Sequence, residues 1–219
     1  IRPIGVGEFI VNVGRSIIAS AVAAKLADKY PLDFGLGKQA GVDCAFAFGK
    51  ARLMSDPAML ALKLDASNAF NSVVHPAILA GITANAPELT SAFFAAYGAP
   101  TRAYYYASEG ALHFFDYQRG VRQGDPLGPL LFQLAMLPAL TQARDENPQA
   151  SIASYIDDCT VYALEPGSAA VSIQTHFAAI GLDLNPAKSV VVAWREPPPD
   201  FEWDPHVLAS LADLPSVVL

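Results

Sequence analysis

Two adjacent carboxylates, Asp157 and Asp158, lie within the stretch Ser-Tyr-Ile-Asp-Asp-Cys-Thr-Val-Tyr at residues 154–162. The β-branched and aromatic residues on either side predict two strands joined by a tight turn that carries the acids. Two like charges at one turn repel each other, and a bound cation removes that repulsion. The pair therefore predicts a Mg²⁺ or Mn²⁺ site that needs a further ligand from elsewhere in the chain. The alternative is a turn that simply favours Asp.

A third carboxylate, Asp65, ends an alternating apolar segment that starts at Met59 and predicts a buried strand. If this strand pairs with the predicted hairpin in one sheet, three carboxylates converge. Oxygen ligands suit hard cations such as Mg²⁺, and two ions about 4 Å apart can stabilise the attacking and the leaving oxygen of a phosphoryl transfer. Taken alone, Asp65 has the simpler interpretation of a residue that caps a strand or begins a turn.

Composition restricts the class of protein. The 219 residues are 53% hydrophobic and 16% charged, enough for one large domain with a sizeable core. The net charge of −7 counts against nucleic-acid binding, because such domains are usually basic. No apolar run reaches the ~18 residues that a membrane span needs, so we expect no membrane partner. Cys44 and Cys159 are too few for a disulfide framework and predict free thiols in a reducing compartment.

Hydrophobic periodicity predicts the elements that must position the acids. Residues 32–41, which contain two glycines close to Lys38, lack the spacing of a phosphate-binding loop and predict a solvated connection. A Gly- and Pro-dense loop over 119–129 is expected to open a long helix that Pro138 kinks and that ends at about residue 143. The other predicted elements are a helix from about residue 9 that ends near residue 30, a helix over 42–54, a turn over 68–72, helical stretches up to 98, a hairpin of 101–107 and 112–117, a helix over 167–180, and strands over 190–194 and 217–219.

Ordered segments of this chain resemble the motifs of reverse transcriptases, most closely those of non-LTR (LINE-type) retrotransposons. One of them carries Tyr-Ile-Asp-Asp, similar to the family's Tyr-x-Asp-Asp signature, and another carries Arg-Gly-Val-Arg-Gln-Gly-Asp-Pro-Leu-Gly-Pro. Their order and their extent over nearly the whole chain make the resemblance specific. The segments are residues 62–72, 119–132, 155–158 and 181–189, and residues 2–4 resemble a fingers segment of the family.

The resemblance implies an α+β fold. We expect a polymerase palm, an antiparallel sheet with helices packed on one face and an RRM- or ferredoxin-like core, plus partial fingers. The fingers would occupy residues 1–55, the palm 56–195, and a linker with the start of the palm–thumb connection 196–219. Because the chain begins with Ile1, we expect a fragment of a larger polyprotein whose other parts supply the thumb, a nuclease and the basic surfaces.

The resemblance also implies the metal ligands. Asp65, Asp157 and Asp158 would hold two Mg²⁺ ions, with Mn²⁺ as a substitute, and the carbonyl of Ala66 would be a backbone ligand. Asp157 is the firmer direct ligand, whereas Asp158 would mainly set the local charge. Lys188 would protonate the departing pyrophosphate. A solvated lysine in a turn is the alternative for Lys188.

Substrate contacts follow from the same resemblance. Arg2 would pair with triphosphate oxygens through its planar guanidinium, and Phe70 would stand against the 2′ position of the sugar and reject ribonucleotides. Gln123 and Gly124 would lie against the incoming nucleotide and the template, and Tyr155 would pack beneath the primer end. The simpler alternatives are an exposed arginine for Arg2, a core aromatic for Phe70, and a loop that only begins a helix for Gln123 and Gly124.

The implied activity is that of an RNA-directed DNA polymerase that adds dNTPs to the 3′-hydroxyl of a DNA primer on an RNA template. Its expected location is intracellular, in the nucleus at the site of integration. One alternative is a decayed or domesticated domain that acts as a non-catalytic binding module, which the intact Asp65, Asp157 and Asp158 disfavour. Another is an RNA-directed RNA polymerase palm, which Phe70 and the Tyr-x-Asp-Asp form disfavour.

Overall fold

The computed structural model describes residues 7–106 and 110–193 and the backbone of residues 216–218. Arg2 and most of the predicted linker lie outside the described residues. Short 3₁₀ turns occupy Pro87–Leu89 and Pro186–Lys188. The helices and strands, in chain order, are α1 (Phe9–Leu26), α2 (Gly41–Ser55), β1 (Leu60–Leu64), α3 (Ala69–Ser72), α4 (His75–Asn85), α5 (Thr90–Tyr97), β2 (Thr101–Tyr106), β3 (Leu112–Tyr117), α6 (Gly128–Glu146), β4 (Ser151–Tyr155), β5 (Asp158–Ala163), α7 (Gly167–Ala179), β6 (Val190–Ala193) and β7 (Ser216–Val218).

A five-stranded sheet with the strand order β4-β5-β1-β6-β7 runs through the described domain. β1 pairs antiparallel with both β5 and β6, β4 and β5 form a hairpin, and β7 joins β6 in parallel. Leu64 lies opposite Cys159, and continuing this register by one residue places Asp65 opposite Asp158. The predicted pairing of the Asp65 strand with the acidic hairpin in one sheet is therefore confirmed.

Side chains on the two faces of the sheet meet different helices, because successive residues of a strand point to opposite faces. Leu62 and Val161 belong to the main core, which they share with residues of α4, α6 and α7. Ala61 and Tyr162, on the opposite face, join a smaller cluster with Phe34 and α2. The predicted α+β architecture is confirmed, and α2 adds a helix to the face that we expected to be open.

Helix α6 crosses the main core, and its central residues, including Leu134, are fully buried. The helix continues through Pro138 and ends three residues beyond the predicted residue 143. Proline has no amide hydrogen, so the carbonyl of Leu134 lacks its usual helical donor. Gly81 of α4 packs against this carbonyl, where a Cβ atom would collide. A glycine is therefore required at this crossing of α4 and α6.

The segment 32–41 is only in part the solvated connection that the sequence predicted, because its first half is largely buried while residues 37, 39 and 40 are exposed. Leu36 is fully buried, and Asp33 and Phe34 are nearly so. The amide of Phe34 donates a hydrogen bond of 2.8 Å to the carbonyl of Ser154, so the segment runs beside the outer strand β4. The apolar residues between its glycines were the signal for burial, because a solvated loop rarely needs both Phe and Leu.

A buried ion pair fixes this segment to the core. The Asp33 carboxylate accepts two hydrogen bonds from the Arg144 guanidinium, at 2.9 and 3.1 Å, and a third of 2.5 Å from the Ser154 hydroxyl. Arg144 also donates to the carbonyl of Ile152, at 2.9 Å. Because the Asp33 side chain is only 2% exposed, the carboxylate depends on these donors to replace water.

Helix α1 begins at the predicted residue but ends at Leu26, before the predicted end near residue 30, and its apolar character exceeds the expectation. By length and composition alone it could cross a membrane: its mean hydropathy is 1.4 over 18 residues that include Arg15 and Lys25, and 17% of this stretch is buried. In this structure Arg15 instead pairs with Asp125, a buried residue 110 positions away in the chain. That ion pair holds the middle of α1 against the rest of the domain.

Two smaller expectations also have clear outcomes. The turn predicted over 68–72 contains the short helix α3, which the chain enters through Asn68 at a φ of 48°. Both thiols are free, as predicted: Cys44 is exposed and Cys159 is buried. Burial raises the pKa of the Cys159 thiol to about 12, so this thiol remains neutral at physiological pH.

Substituting Asp33 tests the contribution of the buried ion pair. Asp33→Ala leaves the Arg144 guanidinium buried without its carboxylate, and we expect the free energy of unfolding to fall by about 3–5 kcal/mol. Urea denaturation measures the loss. Asp116→Ala is the matched control, because Arg102 makes a bidentate pair with Asp116 at 2.8 and 3.1 Å in an exposed position, where such pairs contribute little. Equal losses in the two variants would show that burial is not the reason for the effect.

Candidate active site

An open cleft of about 510 Å³ lies where the β4–β5 turn, helix α3 and the loop 119–129 meet. We call this loop the cleft loop. Four residues that the sequence assigned to the site line the cleft: Asp157, Phe70, Gln123 and Gly124. The structure therefore brings together side chains from three segments that are far apart in the sequence. The rest of the lining is Arg122, Asp125, Pro126, Pro129 and Ile156.

The β4–β5 hairpin turns over two residues, Ile156 and Asp157, because Tyr155 pairs with Asp158. Ile156 has a φ of 57°, in the left-handed region that β-branched residues rarely adopt. Gly35 packs against it so closely that a Cβ atom there would lie 2.7 Å from the Ile156 amide nitrogen. The buried 32–41 segment thus supports a strained turn, which is a common property of functional sites.

The two adjacent acids have different surroundings. Asp157 lies in the turn and lines the cleft, whereas Asp158 begins β5. An Asp158 oxygen lies 3.0 Å from the Lys63 ammonium, with both side chains about half exposed. Lys63 is directly opposite Thr160, so this contact is diagonal across the two strands. Lys63 offsets the charge of Asp158, and the repulsion between the two adjacent acids is reduced accordingly.

Asp65 directly follows β1 and is fixed through its backbone. Its amide donates to the Ser189 hydroxyl at 3.1 Å, and its carbonyl accepts a 2.7 Å hydrogen bond from the Asn185 amide. The next residue, Ala66, forms an isolated antiparallel bridge with Leu184. The hydrogen bonds of that bridge are made by the neighbouring residues on each side. The Ala66 carbonyl therefore accepts no hydrogen bond as part of the bridge.

The chemistry of these donors suits a hard divalent cation, since carboxylate and carbonyl oxygens are its preferred ligands. Asp65 and Asp157 with the Ala66 carbonyl are the groups that would hold such an ion. Asp158 is engaged with Lys63. Over the described ranges 7–106 and 110–193, however, no three His, Cys, Asp or Glu side chains lie close enough together to hold a metal ion.

Besides Asp65, Ala66 and Asp158, which do not line the cleft, three further assigned residues lie away from its lining or beyond the described residues. Lys188 ends the 3₁₀ turn before Ser189, and its side chain is exposed. Tyr155 packs with Phe34 in the smaller hydrophobic cluster, on the α2 side of the sheet. Arg2 precedes the described residues, so its role stays a prediction.

Phe70 contacts both the hydrophobic core and the cleft. Its ring stacks on Phe132, with centroids 4.8 Å apart and planes 10° apart, and Phe132 is fully buried. Phe70 itself is only partly buried and also lines the cleft. The stacking fixes the orientation of an aromatic ring at the wall of the cleft.

Backbone hydrogen bonds attach the cleft loop to the residues around α3. The Gly120 amide donates to the Val73 carbonyl at 2.7 Å, and the Val121 amide donates to the Phe70 carbonyl at 2.6 Å. Gly120 has a φ of 78°, and a Cβ atom there would lie 2.6 Å from the Cα of Asn71. Both the backbone angle and the close approach therefore require glycine at this position.

Sequence reasoning missed the roles of Asp125 and Arg122. The Asp125 side chain is only 2% exposed and contacts the guanidinium groups of Arg15, at 3.1 Å, and Arg122, at 3.4 Å. It also accepts a 2.9 Å hydrogen bond from the Tyr97 hydroxyl. Charged residues among the glycines and prolines of the cleft loop were the available signal, but their partners lie on distant helices.

The chain is similar to a known family of polymerases. A family model described as reverse transcriptase (RNA-dependent DNA polymerase) matches residues 38–203. The retrotransposable element SLACS 132 kDa protein of Trypanosoma brucei gambiense is 31% identical over 170 residues, covering 74% of this chain and 14% of the relative. The retrovirus-related Pol polyprotein from type-1 retrotransposable element R2 of Popillia japonica is 28% identical over 170 residues, which cover 66% of this chain and 26% of the relative. This chain thus spans only a small part of each relative.

Solved structures with a similar fold include telomerases. Apo telomerase from Candida tropicalis superimposes with a TM-score of 0.61 at 12% identity, covering 84% of this chain and 37% of that one. Telomerase from Candida albicans in complex with a TWJ fragment of telomeric RNA gives a TM-score of 0.55 at 16% identity, and the match covers 89% of this chain and 37% of the telomerase chain. At these identities the likeness concerns the fold, and it agrees with the predicted polymerase palm.

Alanine at two glycines separates backbone strain from close packing. Gly120→Ala adds a Cβ atom at a positive φ and against the Asn71 backbone, so we expect a loss of unfolding free energy larger than the ~1–2 kcal/mol of left-handed strain alone. Gly110→Ala is the matched control, since Gly110 has a φ of 79° with nothing within 4 Å of the added atom. Denaturant unfolding compares the two variants. Equal losses would mean that the contact between the cleft loop and α3 is not tight.

Proposed function

The chain belongs to the reverse transcriptase (RNA-dependent DNA polymerase) family, and from this premise we propose that it forms the palm and part of the fingers of an enzyme that copies an RNA template into DNA. The observation that carries the proposal is the cleft, where Asp157, Phe70, Gln123 and Gly124 converge. The strand end at Asp65 lies one register step beyond the β1–β5 pairing. Nucleotide addition would use a carboxylate, an aromatic ring and a glycine-containing loop that face the same cleft.

The proposed chemistry is nucleotidyl transfer from a dNTP to a primer 3′-hydroxyl. Two Mg²⁺ ions at the carboxylates would lower the pKa of that hydroxyl and neutralise the triphosphate. Asp65 and Asp157, with the Ala66 carbonyl, supply the oxygen ligands, and Lys63 balances the charge of Asp158. These oxygen ligands are the part of this chemistry that the chain itself would provide.

The neighbouring residues would orient the substrates. Gly124 has no side chain, so its backbone allows the nascent base pair to approach closely, and Gln123 lies beside it. The Phe70 ring, fixed by Phe132, would exclude a 2′-hydroxyl. Exposed Lys188 would give a proton to the pyrophosphate, and Tyr155 would support the primer end from below the turn.

The proposed partners are an RNA template, a DNA primer, dNTPs and the remainder of a larger retroelement polyprotein that acts in the nucleus. Both curated relatives are named as proteins of retrotransposable elements, which supports this setting. The net charge of −7 gives this chain little attraction for phosphate backbones. Basic surfaces elsewhere in the complete polypeptide would supply most of the affinity for nucleic acid.

One observation favours a second candidate, a non-catalytic binding module of the same fold. Lys63 already engages Asp158, and no cluster of three ligands is assembled in the described part of the chain. Calorimetry with Mg²⁺ separates the candidates, since the polymerase requires the ion to bind at the Asp65 and Asp157 carboxylates. Absence of Mg²⁺ binding together with absence of nucleotide addition would favour the module.

Asp157→Asn in the complete polypeptide tests the polymerase directly. We expect Mg²⁺-dependent dNTP incorporation on a primed RNA template to fall on the order of 100-fold or more, because charge stabilisation by a metal is worth several kcal/mol. Asp145→Asn, at an exposed carboxylate near the end of α6, is the control and retains activity. Unchanged incorporation by the Asp157 variant would overturn the assignment.

Phe70→Ala tests sugar selection. Removing the ring opens the wall of the cleft, so we expect the ratio of ribonucleotide to deoxyribonucleotide incorporation to rise. This ratio is insensitive to a general loss of folded enzyme, which the lost stacking on Phe132 will cause. Phe94→Ala, which removes an exposed aromatic from α5, should leave the ratio unchanged. The same ratio for wild type and Phe70→Ala would remove Phe70 from this role.

A further inference from the structure

We propose that Asp125 is a positioning residue that makes the nucleotide-facing turn, residues 122–125, depend on the docking of helix α1. The inference rests on the proposed polymerase function, in which Gln123 and Gly124 face the nucleotide. It concerns how these two residues are held in place.

Asp125 receives donors from α1, from α5 and from two residues of its own loop. Arg15 of α1 approaches at 3.1 Å and the Tyr97 hydroxyl of α5 at 2.9 Å, both at Oδ2. Arg122 of the same loop approaches Oδ2 at 3.4 Å, and the Leu127 amide donates to Oδ1 at 3.0 Å at the start of α6. One carboxylate therefore joins α1, α5, the cleft loop and α6.

The two ends of the turn are each anchored by several contacts. Arg122 lies over the Tyr97 ring, 4.7 Å from its centroid, and donates to the Ala96 carbonyl at 3.0 Å. The Arg122 amide donates to the Tyr97 hydroxyl oxygen at 3.2 Å, and the Asp125 amide donates to the Arg122 carbonyl at 3.1 Å. Between these anchors Gly124 adopts a φ of 97°. Gln123 also forms a β-bridge, and the two anchors fix the ends of the turn on either side of it.

The Tyr97 hydroxyl donates a hydrogen bond to Asp125 over a wide range of pH. Burial and the charge of Asp125 raise the pKa of the Tyr97 hydroxyl to about 12. The hydroxyl therefore keeps its proton throughout the pH range in which polymerases work. The hydroxyl donates a hydrogen bond to the Asp125 carboxylate, and its oxygen accepts a hydrogen bond from the Arg122 amide.

Arg15 is the contribution of α1 to this cluster. Most of α1 is poorly buried, apart from Val22 and Leu26 near its end. The Arg15 guanidinium, 21% exposed, reaches the almost fully buried Asp125 carboxylate. Displacement of α1 would leave Asp125 with Arg122 as its one remaining guanidinium among the described residues. Arg122 and Asp125 would then be free to shift the turn that bears Gln123 and Gly124.

Two substitutions in the complete polypeptide test the inference, each with a matched control. Arg15→Gln removes the ion pair, and Lys25→Gln removes an exposed pair with Glu88 from the same helix. Tyr97→Phe removes one hydroxyl but keeps the ring beneath Arg122, and Tyr30→Phe removes a hydroxyl that bonds to Asn85 instead.

We expect Arg15→Gln and Tyr97→Phe to raise KM for dNTPs about tenfold with kcat within about twofold, because a displaced turn weakens nucleotide binding before chemistry. Arg15→Lys should recover part of the loss, and both controls should match wild type. An unchanged KM, a fall confined to kcat, or equal effects in the controls would each overturn the inference.

Hydrogen exchange without substrates gives a second readout that needs no activity. The amides of Arg122, Asp125 and Leu127 should exchange faster in Arg15→Gln and Tyr97→Phe than in the controls. Unchanged exchange would refute the positioning role even if KM had changed. If the wild-type polypeptide adds no nucleotides, the proposed function fails, and exchange alone then decides whether Asp125 holds the turn.

Discussion

The antiparallel register between β1 and β5 is the constraint on which the candidate site depends. It places Leu62 opposite Val161 in the main core and Lys63 opposite Thr160 on the other face. Strand side chains alternate with a period of two, so a slip of one residue would turn Lys63 into the core and the leucines out of it. The free-energy cost of burying Lys63 and exposing the leucines fixes the register. The register in turn fixes where Asp65 lies relative to Asp158.

Rigid support beneath the turn is the second requirement. A β-branched residue at a positive φ persists only where its surroundings determine it, and Ile156 is held by the close packing of Gly35. The segment that carries Gly35 is itself fixed by the buried pair of Asp33 and Arg144. A chain of contacts therefore runs from a salt bridge inside the domain to Asp157 at the wall of the cleft.

Burial separates the acidic residues of this chain into two kinds. Asp33 and Asp125 are almost fully buried, and each is satisfied by guanidinium and hydroxyl donors that fix a segment in place. Asp158, in contrast, is half exposed beside Lys63. A buried carboxylate needs donors to replace water, whereas an exposed one stays hydrated. The same type of side chain thus fixes segments inside the domain and remains in contact with solvent at its surface.

Local signals in the sequence were enough to predict several elements. The start of α1, the β2–β3 hairpin and the turn at Asp157 follow from periodicity and turn chemistry, and the ordered motifs that resemble those of reverse transcriptases identified the family. The folded domain was needed to learn that Asp33, Phe34 and Leu36 are buried, that Lys63 pairs with Asp158, and that Arg15 reaches Asp125 across 110 residues. Such contacts depend on how distant elements pack, and residue types and spacing along the chain do not identify which distant residues meet.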